Sequence, residues 1–207
     1  MTRASAGAGA SDYASVAAAL ARYGLLLKQD KVLPSVVTMM TGGPLSASWW
    51  GHPKGREIFA CLCRLADDPD VLVTKLISRK DTFVHRELWP SLLAVATAHE
   101  SWQLDGLARE SRKLWQEVEA KGAILASGKT AAELETRLLV HGEQVHTESG
   151  AHKNRLESWA AWCERVDLKT DMVAAAGRAR LEQAVVAIGG TGRELPWRTR
   201  RLKRLPD

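Results

Sequence analysis

KGREIFACLCRLADDPDVLVTKLISRKDTFVHR, the stretch from Lys54 to Arg86, decides the fold. Its first half repeats apolar residues at helical spacing, which predicts a helix with one buried face made of Ile58, Cys61, Leu62 and Leu65. Pro69 ends this helix, because a proline disfavours the helical conformation of the residue before it. Residues 71–77 and 82–84 are rich in β-branched side chains, so they predict two strands joined by a polar turn.

Two helices are predicted before this stretch. Asp12 can cap the first, which continues to about residue 28, and Pro34 can begin the second, which ends at Gly42. Helix, helix, helix, strand, turn and strand is the order of a winged helix-turn-helix unit. We therefore predict an α+β chain, mainly helical, in which residues 12–100 form a winged-helix domain after a flexible leader of residues 1–11.

The rest of the chain predicts a further mixture of helices and strands. Helices are expected over residues 87–100, 107–121, 130–140, 152–165 and 171–188, and short strands over 124–125 and 144–147. This order fits a second winged helix, and it fits equally a helical extension of the first. We predict that residues 101–188 form this second domain and that a glycine-rich segment then releases residues 189–207 as a basic tail.

The composition indicates a globular protein without a membrane span. The chain has 207 residues, of which 45% are hydrophobic, so it can bury a core. No apolar run reaches the roughly 18 residues that cross a bilayer, and the N-terminus lacks the apolar segment of a secretory signal. The three cysteines, Cys61, Cys63 and Cys163, are expected to be free thiols. These features predict a cytoplasmic location.

The formal net charge of +5 is concentrated at the C-terminus. From Arg193 onward there are six arginines and lysines against two acidic residues, which leaves a charge of +1 for the preceding 192 residues. Such a tail is typical of non-specific contact with nucleic acid, but it also fits a disordered, solubilising end. The tail cations predicted to contact DNA are Arg198, Arg200, Arg201, Lys203 and Arg204.

A second basic set lies in the fold-deciding stretch. In winged-helix proteins the start of the third helix faces a groove of the duplex, and the tip of the hairpin meets the backbone. The corresponding residues here are Lys54, Arg56, Lys75, Arg79, Lys80 and Arg86. They predict DNA as the partner, and a solvated charged face is the alternative.

Tryptophan is unusually frequent, with eight residues against two each of phenylalanine and tyrosine. Trp49 and Trp50 are adjacent in a loop, and two adjacent tryptophans do not easily become buried together. Trp50 is therefore a candidate to stack on an unpaired base or to wedge beside a duplex. The alternative is a loop that folds down over the core.

Two segments resemble the bacterial winged-helix DNA glycosylases that unhook interstrand crosslinks. VLVTKLISRKDTFVHRELWPSLLAVA, residues 71–96, is similar to a family pattern in which an aliphatic-Arg-Thr run, a basic turn, a Thr-aliphatic-His triplet and an acidic helix start follow one another. The residues at similar places are Thr74, Arg79, Thr82, His85 and Glu87. With residues 24–40, GLLLKQDKVLPSVVTMM, the resemblance spans about residues 20–95.

This resemblance implies candidate catalytic residues. The family places a Gln-aliphatic-Gln or Gln-aliphatic-Asp motif where this chain has Lys28-Gln29-Asp30, with Lys28 in place of the first glutamine. Asp30, together with Gln29, is the catalytic candidate. If Asp30 is buried, its pKa rises and it can act as a base that orients a water. Its alternative role is to cap the following helix or to form a solvated turn.

Histidines cluster late in the chain. His141, His146 and His152, with Glu143 and Glu148 among them, could hold a zinc ion, but their spacing matches no known helical ligand pair. His146 and Glu148 could also form a general acid-base pair or a structural hydrogen bond. We predict no metal site and no cofactor.

The predicted function is DNA binding, with an association with DNA repair and no membrane contact. The first alternative is an active glycosylase that acts on alkylated or crosslinked bases. The second is a protein-interaction module without nucleic acid, which the nearly neutral body of the chain allows. The sequence predicts no oligomeric state.

Overall fold

The computed structural model describes residues 5–146 and 152–198 as an α+β fold, about half helical, with two three-stranded antiparallel sheets. The helices are α1 (Ser5–Tyr23), α2 (Val36–Thr41), α3 (Gly55–Ala66), α4 (Trp89–Ala96), α5 (Ser101–Leu104), α6 (Arg109–Lys121), α7 (Lys129–Thr136), α8 (Trp159–Val166) and α9 (Ala174–Ala187). The strands are β1 (Leu25–Leu27), β2 (Val71–Ile77), β3 (Lys80–His85), β4 (Ala123–Ala126), β5 (His141–His146) and β6 (His152–Glu157). Among these helices, none is long and apolar enough to cross a bilayer.

The predicted helix and hairpin of the fold-deciding stretch are confirmed. α3 buries Ile58, Cys61, Leu62 and Leu65 and ends at Ala66, with Asp67 as its C-cap. Burial raises the pKa of the Cys61 thiol to about 11, as expected of a core cysteine. β2 pairs with β3 from Val71 opposite His85 to Ile77 opposite Lys80.

The first sheet has the strand order β1-β3-β2, and its edge strand β1 was predicted to be helical. Leu25, Leu26 and Leu27 are fully buried and alternate between two cores, with Leu26 in one and its neighbours in the other. This alternation has the period of a strand, which puts successive side chains on opposite faces. Gly24, at φ 75°, ends α1 and turns the chain into β1.

The first helix also begins earlier than predicted, at Ser5 instead of Asp12. The added residues 5–11 contain three alanines, which favour a helix, and two glycines, which disfavour one, so their sequence alone did not predict the extension. The predicted leader is therefore shorter than residues 1–11. Asp12 lies inside the helix, where its carboxylate binds Lys54 instead of capping.

The second sheet has the order β4-β6-β5, and its central strand contradicts another prediction. Residues 152–165 were expected to form one helix, but residues 152–157 pair with β4 and β5 on both sides. Ser158 separates the strand from α8, because its hydroxyl accepts a hydrogen bond from the amide of Ala161 and caps the helix. β5 begins at His141, three residues before the predicted strand, and Thr147 lies outside the described residues.

Several helix boundaries differ from the predictions for local reasons. Ser35, and not Pro34, caps α2, since its hydroxyl accepts from the amide of Thr38 at 3.2 Å. α7 begins at Lys129 after Gly128, one residue before the predicted start of this helix. The predicted helix over 87–100 is confined to α4, and α9 begins three residues later than expected.

One apolar core joins the two halves of the chain. It contains Leu72 and Val84 from the first sheet, Trp159 and Trp162 from α8, and side chains from α4 and α9. α4 and α9 approach closely at Gly177, where a Cβ would lie 2.5 Å from the carbonyl oxygen of Ser91. The division into domains at residue 100 stays a prediction, and this core shows that the two parts pack together.

The C-terminal segment after α9 does not leave the core at residue 189, so that part of the tail prediction is wrong. Leu195 is fully buried, and the carbonyl oxygen of Glu194 accepts a hydrogen bond from the backbone amide of Ser78 at 2.7 Å. Trp197 donates its ring N–H to Glu182 on α9. The described chain up to residue 198 is thus packed on the body, beside the turn that joins β2 and β3.

Candidate nucleic-acid interface

The tip of the β2–β3 hairpin is a two-residue turn, Ser78-Arg79, and not the four-residue turn that the sequence suggested. Both residues have positive φ, at 51° and 59°. Two-residue hairpin turns with this geometry match the twist of the strands, although asparagine and glycine are the residues that adopt it at low cost. Arg79 is exposed at the apex and forms no ion pair with any described residue.

A β-bulge in β2 positions Lys75. The register shifts between Thr74 and Ile77, and the buried hydroxyl of Thr82 accepts the amide hydrogen of Ile77 at 3.2 Å. A bulge of this kind redirects a side chain next to it. Lys75 consequently forms an ion pair with Asp81 on β3.

The end of β1 brings Lys28 beside Asp81 as well. The backbone amide of Lys28 donates to the carbonyl oxygen of Asp81 at 2.9 Å, and its Nζ lies 3.5 Å from the Asp81 carboxylate. Lys28, Gln29, Lys75, Lys80 and Asp81 together line an open depression of about 230 Å³. Lys28 was not identified as a DNA-contacting residue from the sequence, because only the pairing of β1 with β3 places it beside the tip.

Asp30 lies at the edge of this depression and is held by three hydrogen bonds. Its carboxylate accepts from the amides of Val32 and Leu33 at 2.8 and 3.0 Å and from Lys80 Nζ at 2.7 Å. Partial burial raises the pKa of Asp30, but the bonds from Lys80 and the two amides outweigh burial, so the pKa lies below its ordinary value. The raised pKa expected of a fully buried Asp30 is therefore not found, because Asp30 is only partly buried, and its contacts are those of the alternative, a turn-forming aspartate.

The tip and the adjoining loop carry a net positive charge. Five cations lie on residues 28–31 and 75–81 against the two carboxylates of Asp30 and Asp81. The cations are Lys28, Lys31, Lys75, Arg79 and Lys80. We call this set, with its two carboxylates, the hairpin-tip cluster. A phosphate placed there meets an excess of positive charge on a rigid scaffold.

The other predicted cations of the fold-deciding stretch do not join this cluster. Arg86 pairs with Asp70 at 2.8 Å at the base of the hairpin. The length of the strands puts this pair about 20 Å from the tip. Lys54 binds Asp12 at 3.2 Å and the carbonyl oxygen of Met40 at 2.8 Å. Arg56 is exposed on α3 and, in the described part of the chain, has no acidic partner.

The described C-terminal segment, up to Arg198, is held near the tip by the bond between Ser78 and Glu194. Arg198 itself pairs with Glu182 through two hydrogen bonds, at 2.9 and 2.8 Å. Four residues of chain lead from Glu194 to Arg198, which is at most about 15 Å. The other predicted tail cations, Arg200, Arg201, Lys203 and Arg204, follow in sequence and lie outside the described residues.

The two adjacent tryptophans divide between core and solvent. Trp49 is 5% exposed and packs in the core under α3, whereas Trp50 is 65% exposed. Their rings are stacked, with centroids 4.1 Å apart and an interplanar angle of 24°. The loop therefore folds over the core and presents an aromatic ring to solvent at the same time.

A charged cluster that the sequence did not reveal lies in the second sheet. Glu157, only 2% exposed, accepts hydrogen bonds from Arg155 at 3.0 Å and from Arg165 at 2.7 Å. Burial raises the pKa of Glu157, but His141 and the two arginines outweigh it and hold the pKa well below its ordinary range. This cluster ties β6 to α8 and has the features of a structural ion pair.

The structure describes only part of the histidine cluster that was considered as a zinc site. The side chains of His146 and His152 and the whole of Glu148 lie outside the described part of the chain. His141 is buried beside Trp159 and Trp162. Within residues 5–146 and 152–198, no group of three histidine, cysteine or acidic side chains is arranged to hold a metal ion.

Comparison with models of known protein families, with curated proteins and with solved structures finds no match to this chain.

Proposed function

We propose that the protein binds the phosphate backbone of duplex DNA through the hairpin-tip cluster and the C-terminal cations. The observation that carries this proposal is the hydrogen bond between Ser78 and Glu194, which puts the start of the basic tail beside the cationic hairpin. On this proposal the two sets of cations, which are far apart in sequence, contribute to one surface. Phosphate contacts supply most of the affinity of non-specific DNA binding.

We further propose that the first part of the chain works as a winged-helix unit. The order helix, strand, helix, helix, strand, strand and the strand order β1-β3-β2 support this assignment. In such a unit the hairpin is the wing, and its tip meets the DNA backbone. The exposed Arg79 at the apex is the residue best placed for that contact.

The chemistry of the cluster favours backbone contact over base reading. A lysine ammonium group contacts a phosphate as a point charge. Base edges are recognised mostly by the guanidinium group of arginine and by the amide groups of asparagine and glutamine. The exposed side of α3 carries Phe59, Ala60 and Cys63 beside Arg56. The guanidinium group of Arg64 lies over the ring of Tyr13, so few side chains of α3 are free to hydrogen-bond to base edges. The proposed binding is therefore largely independent of sequence.

A glycosylase reaction at Asp30 and Gln29, and with it a link to DNA repair, stays a prediction. Both oxygens of the Asp30 carboxylate already accept hydrogen bonds within the protein. The lowered pKa of Asp30 makes this carboxylate a weaker base than an ordinary aspartate. These contacts favour DNA binding over base removal at this place.

The proposed contact is tested by exchanging the turn for one with better backbone geometry and less charge. The double variant Ser78→Asn/Arg79→Gly removes the apex cation but keeps the Ser78–Glu194 backbone bond. We expect it to be more stable by about 1 kcal/mol, because asparagine and glycine adopt positive φ more easily. The affinity for duplex DNA falls as salt rises. We expect the magnitude of the slope of log affinity against log salt to decrease by about 1, as for one lost phosphate contact.

Urea denaturation and fluorescence anisotropy with a labelled duplex measure the two effects. Arg180→Gln, which removes an exposed arginine from α9, is the matched control and should leave the salt slope unchanged. A stabilised double variant that binds duplex with the wild-type slope would show that the apex does not contact DNA.

A further inference from the structure

The outer face of α3 and the turn before it carry an exposed aromatic surface. Trp50 is 65% and Phe59 48% exposed, and their ring centroids lie 5.5 Å apart with an angle of 38° between the planes. Single exposed apolar residues are common on proteins, but two large rings in contact on one surface are not. Neither ring is needed to fill the core, because Trp49 and Ile58 already do so beneath them.

The ring of Trp50 is held in place by its surroundings. It stacks on the buried Trp49, and its backbone amide is 3.4 Å from the hydroxyl of Ser48. The 3₁₀ turn of residues 49–51 packs on the start of α3 at Gly55, where a Cβ would lie 3.1 Å from the carbonyl oxygen of Trp50. An aromatic ring that is already fixed loses little freedom when a planar partner stacks on it.

Arg56 lies on the same exposed face of α3 as Phe59. Arg56 is three residues before Phe59, so the two side chains share one face of α3. Arg56 is exposed and, within the described residues, has no carboxylate partner. An aromatic surface with an unpaired arginine beside it complements a nucleotide, which has a planar base and an anionic phosphate.

We propose that Trp50 and Phe59 form a stacking site for an unpaired base, with Arg56 contacting the adjoining phosphate. This inference rests on the proposed DNA-binding function and adds a substrate class to it, namely DNA with a single-stranded segment. A continuous duplex offers no free base face, so the site distinguishes single-stranded from fully paired DNA. Stacking is tolerant of sequence, because every base has an aromatic face.

Fluorescence anisotropy with a labelled oligothymidylate and with a duplex of equal length tests the proposal. We expect the full chain to bind both, and Trp50→Ala to weaken oligothymidylate binding about 5- to 100-fold while duplex binding changes less than about twofold. Trp50→Phe should retain most of the binding, and Val186→Ala, at another exposed apolar site, should retain all of it. Arg56→Gln, on the helix surface, gives a second variant should Trp50→Ala not fold, and it should weaken oligothymidylate binding too.

The outcomes separate this inference from the proposed function. Duplex binding without oligothymidylate binding overturns the stacking site alone, whereas binding of neither overturns both. Oligothymidylate binding that is unchanged in Trp50→Ala also overturns the stacking site. A change in sedimentation mass on Trp50→Ala, without loss of oligothymidylate binding, would instead show that the surface joins two copies of the chain.

Discussion

Replacement of Glu157 by glutamine is expected to lower the free energy of unfolding by about 2 to 3 kcal/mol at neutral pH. The carboxylate is buried and is the common partner of Arg155 and Arg165, so the variant leaves two guanidinium groups without their counter-charge. Loss of one partner from a fully buried pair costs more, but these arginines are 34% and 48% exposed, and water relieves part of the loss. Urea denaturation at neutral pH measures the difference.

The same variant changes the response to acid in a defined direction. The pKa of Glu157 is lowered in the folded protein, so its stabilising effect is complete above the unfolded pKa of about 4.3 and is lost as the pH falls below that value. The stability advantage of the wild type over Glu157→Gln should therefore shrink by about 1.5 kcal/mol between pH 6 and pH 3.

Glu117→Gln is the matched control, since Glu117 forms an exposed ion pair with Lys121 on α6. It should leave the stability at neutral pH unchanged within error. A Glu157→Gln variant as stable as the wild type at neutral pH, or a difference that does not depend on pH, would contradict the structural role of the cluster.

Replacement of Leu195 by alanine is expected to lower the free energy of unfolding by about 3 kcal/mol, the middle of the range for a buried leucine. Leu195 is fully buried in the core that joins the two halves, although it lies in the segment predicted to be a tail. Hydrogen exchange gives a second readout, because the Ser78 amide should exchange faster when Glu194 no longer holds it.

Val186→Ala, an exposed position on α9, is the control and should change stability by less than about 0.5 kcal/mol. The prediction is wrong if Leu195→Ala keeps wild-type stability and wild-type protection of the Ser78 amide. That result would separate the C-terminal segment from the hairpin and remove the link between the two sets of cations.

The elements with a strong local pattern could be predicted from the sequence. α3 has apolar residues at helical spacing and a proline after its end, and β2 has a run of β-branched residues. Both elements formed as predicted, because the pattern of neighbouring residues already indicates which side chains are buried. The coarse α+β class follows from such elements.

Elements decided by distant contacts could not be predicted. The three leucines of β1 suit a helix as well as a strand, and only the pairing with β3 and the presence of a core on each side make them a strand. β6 was predicted as part of a helix because Leu156 stands at helical spacing to the apolar residues of α8, yet β6 is the central strand of its sheet. The burial of Leu195 likewise depends on the packing of α9 and α4.

The candidate site shows the same limit. The sequence correctly marks Lys75, Arg79 and Lys80 as cations of the hairpin, but it does not show which of them are paired. The bulge directs Lys75 to Asp81, and the loop after β1 brings Asp30 to Lys80. Arg79 is the one of these three that forms no ion pair with a described residue, so it is the cation of the hairpin most available to a phosphate.

We propose that the folded body, and not only the tail, binds duplex DNA. This proposal is tested by the salt dependence of duplex affinity for the full chain, for a chain ending at Arg198, and for that shorter chain with Lys75, Arg79 and Lys80 replaced by glutamine. The truncation follows Arg198, because Leu195 is buried and both Trp197 and Arg198 bind Glu182 on α9. We predict that the chain ending at Arg198 keeps salt-dependent binding with a smaller slope and that the three substitutions abolish it. A chain ending at Arg198 that shows no salt-dependent binding, or substitutions that leave its slope unchanged, would contradict the claim.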